Sequence, residues 1–229
     1  MGSFVKLRDT IRAIGLRDTC LFAASRLAQS IFGTRVRILK YYFIAQPLDA
    51  HPAARRPGAF SLAWVDATSP VFSQIDRPSS VIAARFAQKA RCLAATVEDA
   101  RLAGFLWYVR GPYEEDEVRA RFWPKPDGAA VWDFDVSILP QYRMSRLFMY
   151  LWSRASAELA AQGITHSLSR VSAFNPPSLA AHRRLGARIV GSAVFVCVGP
   201  WQIMRSSVAP RWHFSSRHDQ RPTLEIAAS

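Results

Sequence analysis

The residues best suited to chemistry stand two apart in one short run. In VWDFDVSILPQYRMSRLFMYL (131–151), Asp133, Asp135 and Ser137 alternate with Trp132, Phe134, Val136 and Ile138. If the run is a strand, alternation puts the first set on one face and the second on the other. Carboxylates do not bury readily under helices, so the pattern predicts an open cleft, where a carboxylate can accept a proton. Pro140 breaks the strand, and the spacing of Met144, Leu147, Phe148, Leu151 and Trp152 predicts an amphipathic helix from about Arg143 to Ala161. The first-turn N–H groups of such a helix lack partners within it and attract anions. Arg143 and Arg146 flank that opening. Phosphate or pyrophosphate is the anion expected there, with an ordinary solvated turn as the plainer alternative.

Other reactive arrangements are poorly represented. Ser137, Ser145 and Cys197 have no base nearby in a recognisable pattern, so a covalent intermediate is not expected. His51, His166, His182, His213 and His218 show no ligand spacing, so no metal site is expected. Cys20, Cys92 and Cys197 are odd in number and widely spaced, which fits free thiols in a reducing, cytosolic setting.

The chain has 229 residues, enough for a full core, and a formal net charge of +13. Residues 1–58 hold ten Lys/Arg against three Asp/Glu, residues 59–198 hold 16 against 12, and the remainder four against two. The excess is concentrated at the start, and such a field attracts any polyanion without choosing among them. No RNA-binding motif accompanies it, so nucleic acid is not an expected partner. No run of about 18 apolar residues indicates a spanning helix, and no signal peptide is expected.

Residues 4–32 have helical apolar spacing with a basic opposite side and read as two helices hinged near Gly15. That pair either packs on the main domain or lies on an anionic membrane surface. Arg35–Pro47 reads as a strand, His51–Gly58 as a linker, Phe60–Val65 as a strand, and Ser79–Arg91 as a helix capped by Ser79 or Ser80. Leu93–Val97 and Leu102–Val109 read as a hairpin, and Gly111–Gly128 as a long polar loop whose acid run, Glu114–Glu117, is expected to be solvated. A strand over His166–Val171, a helix from Asn175 to Gly186 and further strand over Arg188–Val198 follow. A polar, frayed end is expected beyond Gly199. The division expected is a basic extension with strand and linker (1–58), a main domain (59–198) and a tail (199–229).

Two motifs lie within this order. Ile138-Leu139-Pro140-Gln141-Tyr142-Arg143-Met144-Ser145-Arg146-Leu147 resembles the GNAT superfamily segment in which an apolar residue, Pro and two further residues precede Arg-Gly-x-Gly-Leu at a helix start. Asn175-Pro-Pro-Ser178, followed by His182 and then Leu185-Gly186, resembles that family's second segment, with the ring residue seven and the glycine eleven positions after Asn. The likeness covers about residues 60–198 and identifies an α/β (α+β) fold: a mixed, mostly antiparallel sheet flanked by helices, here with an N-terminal helical extension. Met144 and Arg146 stand where the family pattern has glycine, which lets backbone approach phosphate without a Cβ in the way. A guanidinium at Arg146 offers phosphate a charge-assisted fork in exchange.

The resemblance implies an N-acyltransferase moving an acyl group, most often acetyl, from acyl-CoA to a primary amine of a small molecule or sugar by direct attack. It implies acetyl-CoA or another acyl-CoA as co-substrate. Val136, Ile138, Arg143, Met144, Ser145, Arg146, Leu147, Asn175 and Ser178 would bind it. Asp135, favoured slightly over Asp133, would take the amine's proton, and His182 would protonate the leaving thiolate. The alternative is a GNAT-like fold without catalysis, serving a membrane or a partner. A mouth plugged by Met144 and Arg146, with no groove along the strand, would favour it.

Overall fold

The computed structural model describes residues 2–48, 58, 60–98 and 100–228, with backbone alone for 2–7. The linker proposed over His51–Gly58 therefore lies almost wholly outside the described residues, as does Asp99 in the hairpin turn.

The chain opens with α1 (Gly2–Ile14) and α2 (Leu16–Phe32), hinged at Gly15 as its spacing predicts. β1 (Val36–Pro47), β2 (Ser61–Val65), α3 (Ser79–Ala87), β3 (Arg91–Val97) and β4 (Arg101–Val109) follow. Then come β5 (Tyr113–Glu114), β6 (Arg121–Lys125), β7 (Ala130–Ile138), α4 (Leu147–Ala160), β8 (His166–Ser172) and α5 (Pro176–Arg184). β9 (Arg188–Val198), β10 (Trp201–Ser206), β11 (Trp212–Ser215) and β12 (Thr223–Ala227) complete it.

Nine strands form one sheet in the order β11-β10-β9-β1-β8-β7-β4-β3-β2, and β12-β6-β5 form a second. β7 and β8 are the parallel pair of the large sheet. The remaining neighbours there run antiparallel, which is the mixed, mostly antiparallel sheet expected. β3, β4 and β7 turn alternate residues to two cores, while β1 gives Tyr41, Phe43 and Ala45 to the first and Ile44 to a small cluster with Val171 and Ala187. On one face Phe43, Trp107, Trp132 and Phe134 meet α3 and the small sheet, with Phe122 stacked on Trp132 at 4.7 Å and Tyr113 on Phe134 at 4.0 Å. On the other, Leu93, Leu106 and Val131 receive Leu147, Leu151 and Trp152 from α4.

Several boundaries differ from those expected. β1, grouped with the extension by sequence, lies inside the sheet between β8 and β9. Its run of β-branched and aromatic residues is long because it is covered on both faces. The acid-rich segment holds β5 and β6 rather than a loop. The end of the chain is not frayed, since β12 pairs in parallel with β6 and buries Leu224 and Ile226 completely. α3 follows Pro78 without a serine side-chain cap and ends before Arg91, which opens β3. α4 begins at Leu147, four residues later than expected. The delay has a local cause: Ser145 Oγ donates to Tyr142 O at 2.6 Å and accepts from Leu147 N at 3.2 Å, holding residues 142–146 in a turn.

Candidate active site

β7 and β8 pair only from Ala130↔His166 to Asp133↔Ser169, then part, although β7 runs on to Ile138 and β8 to Ser172. The separation follows from a bulge. Against β4, Phe105 pairs with Ser137 and Trp107 with Phe134, so β7 carries one extra residue, and Asp135 takes φ +48°. Gly104 lets β4 meet the bulge closely: a Cβ there would lie 2.8 Å from Ile138 Cδ1 and Ser137 O. Leu139 N donates to Ala103 O of β4, so alternation turns the backbone groups of Val136 and Ile138 toward the parted side. The gap opens into a cleft of about 520 Å³ bounded by β7, β8, α3, α5 and the acidic segment.

The bulge also reverses the expected placement of the two aspartates. Asp133 and Asp135 do not share a face, because the extra residue shifts the strand's parity. Asp133 lies with Val131 on the α4 side and is almost fully buried, accepting from Ser167 Oγ at 2.7 Å. Burial pushes its carboxyl up to about 7, against the pull of the serine hydroxyls. Asp135 turns to the α3 side, where Arg85 Nη1 meets it at 2.6 Å and Arg77 Nη2 at 3.3 Å. Both aspartates line the cleft.

His182 of α5 is buried between Phe148 and Trp152, whose rings stand edge-on at 5.7 and 5.9 Å. Its Nδ1 lies 3.1 Å from Gln46 Oε1, so a ring protonated at Nδ1 donates to that amide oxygen and leaves Nε2 as an acceptor. Burial lowers its pKa to about 4, so the imidazolium expected to protonate a thiolate is absent near neutrality. Asn175 caps α5 by accepting from Ser178 N at 3.2 Å. That bond occupies the Asn175 side-chain oxygen, although both residues line the cleft.

At the other end of β7, Arg143, Met144, Ser145 and Arg146 precede α4 instead of opening it. Met144 is 99% exposed, so it does not plug the mouth. Arg146 is exposed as well, whereas Leu147 is buried in the α4 core and reaches the mouth only through its backbone. Arg143 Nε donates to Ile138 O at 3.2 Å, tying the turn to the open strand.

Sequence reasoning missed the groups that fill the cleft's acidic wall. Arg85, only 4% exposed, binds Asp116 and Asp135 at 2.6 Å each and stacks over Trp107 and Phe134. Arg170 Nη2 reaches Glu115 at 2.7 Å and Glu117 at 3.1 Å, with its guanidinium over Tyr41, whose hydroxyl donates to Glu117 at 2.6 Å. Glu114 to Glu117 are thus ion-paired against the domain and not simply solvated. Burial alone would raise the Glu115 carboxyl, but Arg170 holds it below the usual range. Burial and the neighbouring acids raise the hydroxyls of Tyr41 and Tyr113 far above theirs. Arginines among the apolar residues of α3 and β8 were the available signal, and it becomes legible only against an acidic run that pairing must bury. Glu115 Oε2 and Arg170 Nε remain buried without a hydrogen-bond partner among the described residues.

No protein-family model matches the chain, and no curated protein shows significant similarity to it. Solved structures do. The chain is similar to a tandem GNAT protein from the clavulanic acid biosynthesis pathway, at TM-score 0.52 and 14% identity, covering 79% of this chain and 58% of that one. It is similar to a protein assigned to the GNAT family from Novosphingobium aromaticivorans, at 0.50 and 16%, covering 72% and 66%. It is also similar to a conserved protein of unknown function from Staphylococcus epidermidis, at 0.52 and 9%, covering 76% and 67%. The chain therefore spans less than two thirds of the length of the first two. Likeness at these identities concerns architecture, and on that ground the chain has the GNAT fold.

Proposed function

We propose that the chain is an acyl-CoA-dependent N-acyltransferase whose acceptor is a primary amine and whose donor is acetyl-CoA or a related thioester. The observation that carries this reading is the parting of β7 from β8. It leaves Val136 and the Ile138 N–H without a β8 partner, beside a buried carboxyl, Asp133, that is poised near neutrality. The cleft beside Val136, about 520 Å³ and walled by Glu115, Asp133 and Asp135, suits a small acceptor. Val136 O and the Ile138 N–H would hold the amides of a pantetheine arm, and the Val136 N–H would steady the developing oxyanion. Arg143, Arg146 and the backbone at Met144 would meet the pyrophosphate before α4, on a turn that Ser145 Oγ and Leu147 N hold in shape. The bound thioester supplies an activated acyl carbonyl.

Asp133 takes the role that the family resemblance gave slightly more readily to Asp135. A carboxyl poised near the working pH can accept a proton from an arriving ammonium and, once protonated, return it to the departing sulfur. Asp135 is engaged by two guanidiniums and serves to position Arg85 and the bulge. His182, neutral and wedged between aromatics, packs α5 on α4 and presents Nε2 as an acceptor. Glu115 Oε2 would receive the acceptor's ammonium, which favours a cationic or amino-bearing small molecule.

Acetyl-CoA with a panel of amines, read by free thiol release, tests the proposal. Amine-dependent release that Asp133→Asn abolishes is expected. Release equal with and without every amine, or undiminished in that variant, would overturn it.

A further inference from the structure

A second surface, away from the cleft, has the character of a binding face. In β10, Trp201, Ile203 and Arg205 point to one side while Gln202, Met204 and Ser206 are buried on the other. The register carries that side across the sheet: Ile203 pairs with Phe214 and Arg205 with Trp212 of β11, and Trp201 pairs with Val198 of β9. Trp201, Trp212 and Phe214 are 55%, 64% and 61% exposed. β9 continues the side through Val194 and Val196, which pair with Lys40 and Ile38 of β1. On the same side of the sheet α2 is anchored by Asp18, which takes an ion pair from Lys40 and a hydrogen bond from Tyr42, and it leaves Leu27, Ile31 and Phe32 exposed. Single exposed apolar residues are ordinary, but a contiguous set headed by two tryptophans is not.

Charge decides what covers it. From Arg188 to Ser215 the chain contains no Asp or Glu, while Arg205 and Arg211 are exposed; Arg188 turns instead to Ala228 O. Arg205 lies over the Trp212 ring at 5.3 Å. In α2, Arg17 and Arg26 are exposed, and the one acid, Asp18, is consumed by Lys40. A second copy of a chain with net charge +13 would meet this basic surface with a like-charged one. Tryptophan bodies with arginine heads suit the boundary between headgroups and acyl chains, and a basic rim suits anionic headgroups.

We infer that the face formed by β9–β11, together with α2, docks peripherally on an anionic lipid surface. Binding there brings the cleft to substrates held at or near a membrane. The inference does not depend on the chemistry in the cleft.

The test is sedimentation of the full chain with vesicles of phosphatidylcholine alone, and of phosphatidylcholine with phosphatidylglycerol. Binding to the anionic vesicles and little to the neutral ones is expected. Trp201→Ser with Trp212→Ser should weaken it roughly tenfold, and Arg205→Gln with Arg211→Gln roughly fivefold per arginine. All four positions are exposed, and unchanged thiol release in each variant would show that the fold is intact. Should the cleft prove inactive, an unchanged circular dichroism spectrum serves the same control. Three results would overturn the inference. They are no binding to anionic vesicles, binding indifferent to the tryptophan pair, and a solution dimer that Trp212→Ser dissociates.

Discussion

Asp133 and Asp135 are separated by one residue yet face opposite sides of the sheet, the first toward Ser167 and the second toward Arg85. One extra residue in β7 accomplishes this, and it divides two carboxylates into different tasks. Asp133 is almost fully buried, which favours its neutral form, while Asp135 is held between cations.

Rate should therefore follow the ionisation of Asp133. The rate constant kcat is predicted to rise with pH through about 7 as that carboxyl loses its proton. Asp133→Asn should remove this limb and lower kcat by about 100-fold or more. A pH profile of both forms checks this. Stability should move the other way: the folded carboxyl keeps its proton to about 7, whereas the unfolded one loses it near 4. The folded state binds the extra proton in that window, so this group's contribution falls as pH rises from about 4 to about 7. The asparagine variant should lack that decline.

Asp135→Asn is predicted to act chiefly on stability. Asparagine tolerates the left-handed backbone at this position, so the change removes charge without forcing the bulge to move. It leaves buried Arg85 with Asp116 alone, at a loss of about 3 kcal/mol. Urea unfolding should show that loss, with turnover per folded molecule reduced far less than in Asp133→Asn.

His182 is predicted to stay neutral across the working range. Its ring resonances should not titrate between pH 5.5 and 8 by NMR, since burial holds the pKa to about 4. The unfolded ring takes up a proton near 6.5, so this residue's contribution is complete above that pH and is lost as pH falls toward about 4. A kcat limb near neutrality that vanishes in His182→Gln would contradict this assignment.

Gly104→Ala should disturb the open strand. Its new Cβ would meet Ser137 O at 2.8 Å, and backbone cannot move aside as a flexible side chain would. A loss of about 1–3 kcal/mol in stability is expected, with weaker acetyl-CoA binding by calorimetry than in a control alanine elsewhere on β4.

The fold was largely legible because its signals are local. Gly15 between two amphipathic runs, Asn175 before two prolines and alternation along β7 each predict an element that forms. What the sequence hid depends on distant partners. Alternation through Asp133, Asp135 and Ser137 gives no sign of a bulge, which arises where β4 presents Gly104. The acid run reads as solvated because Arg85 and Arg170, its partners, come from α3 and β8. By composition β1 and β12 read as lying outside the main domain, because composition carries no record of which strands pair.

Calorimetric titration of acetyl-CoA into this chain tests the central claim most directly. Saturable binding at one site per chain, retained in Asp133→Asn while that variant releases thiol more slowly by about 100-fold or more, is the predicted result. Absence of any binding by the unaltered chain at millimolar acetyl-CoA would contradict it and leave the open strand without its proposed occupant.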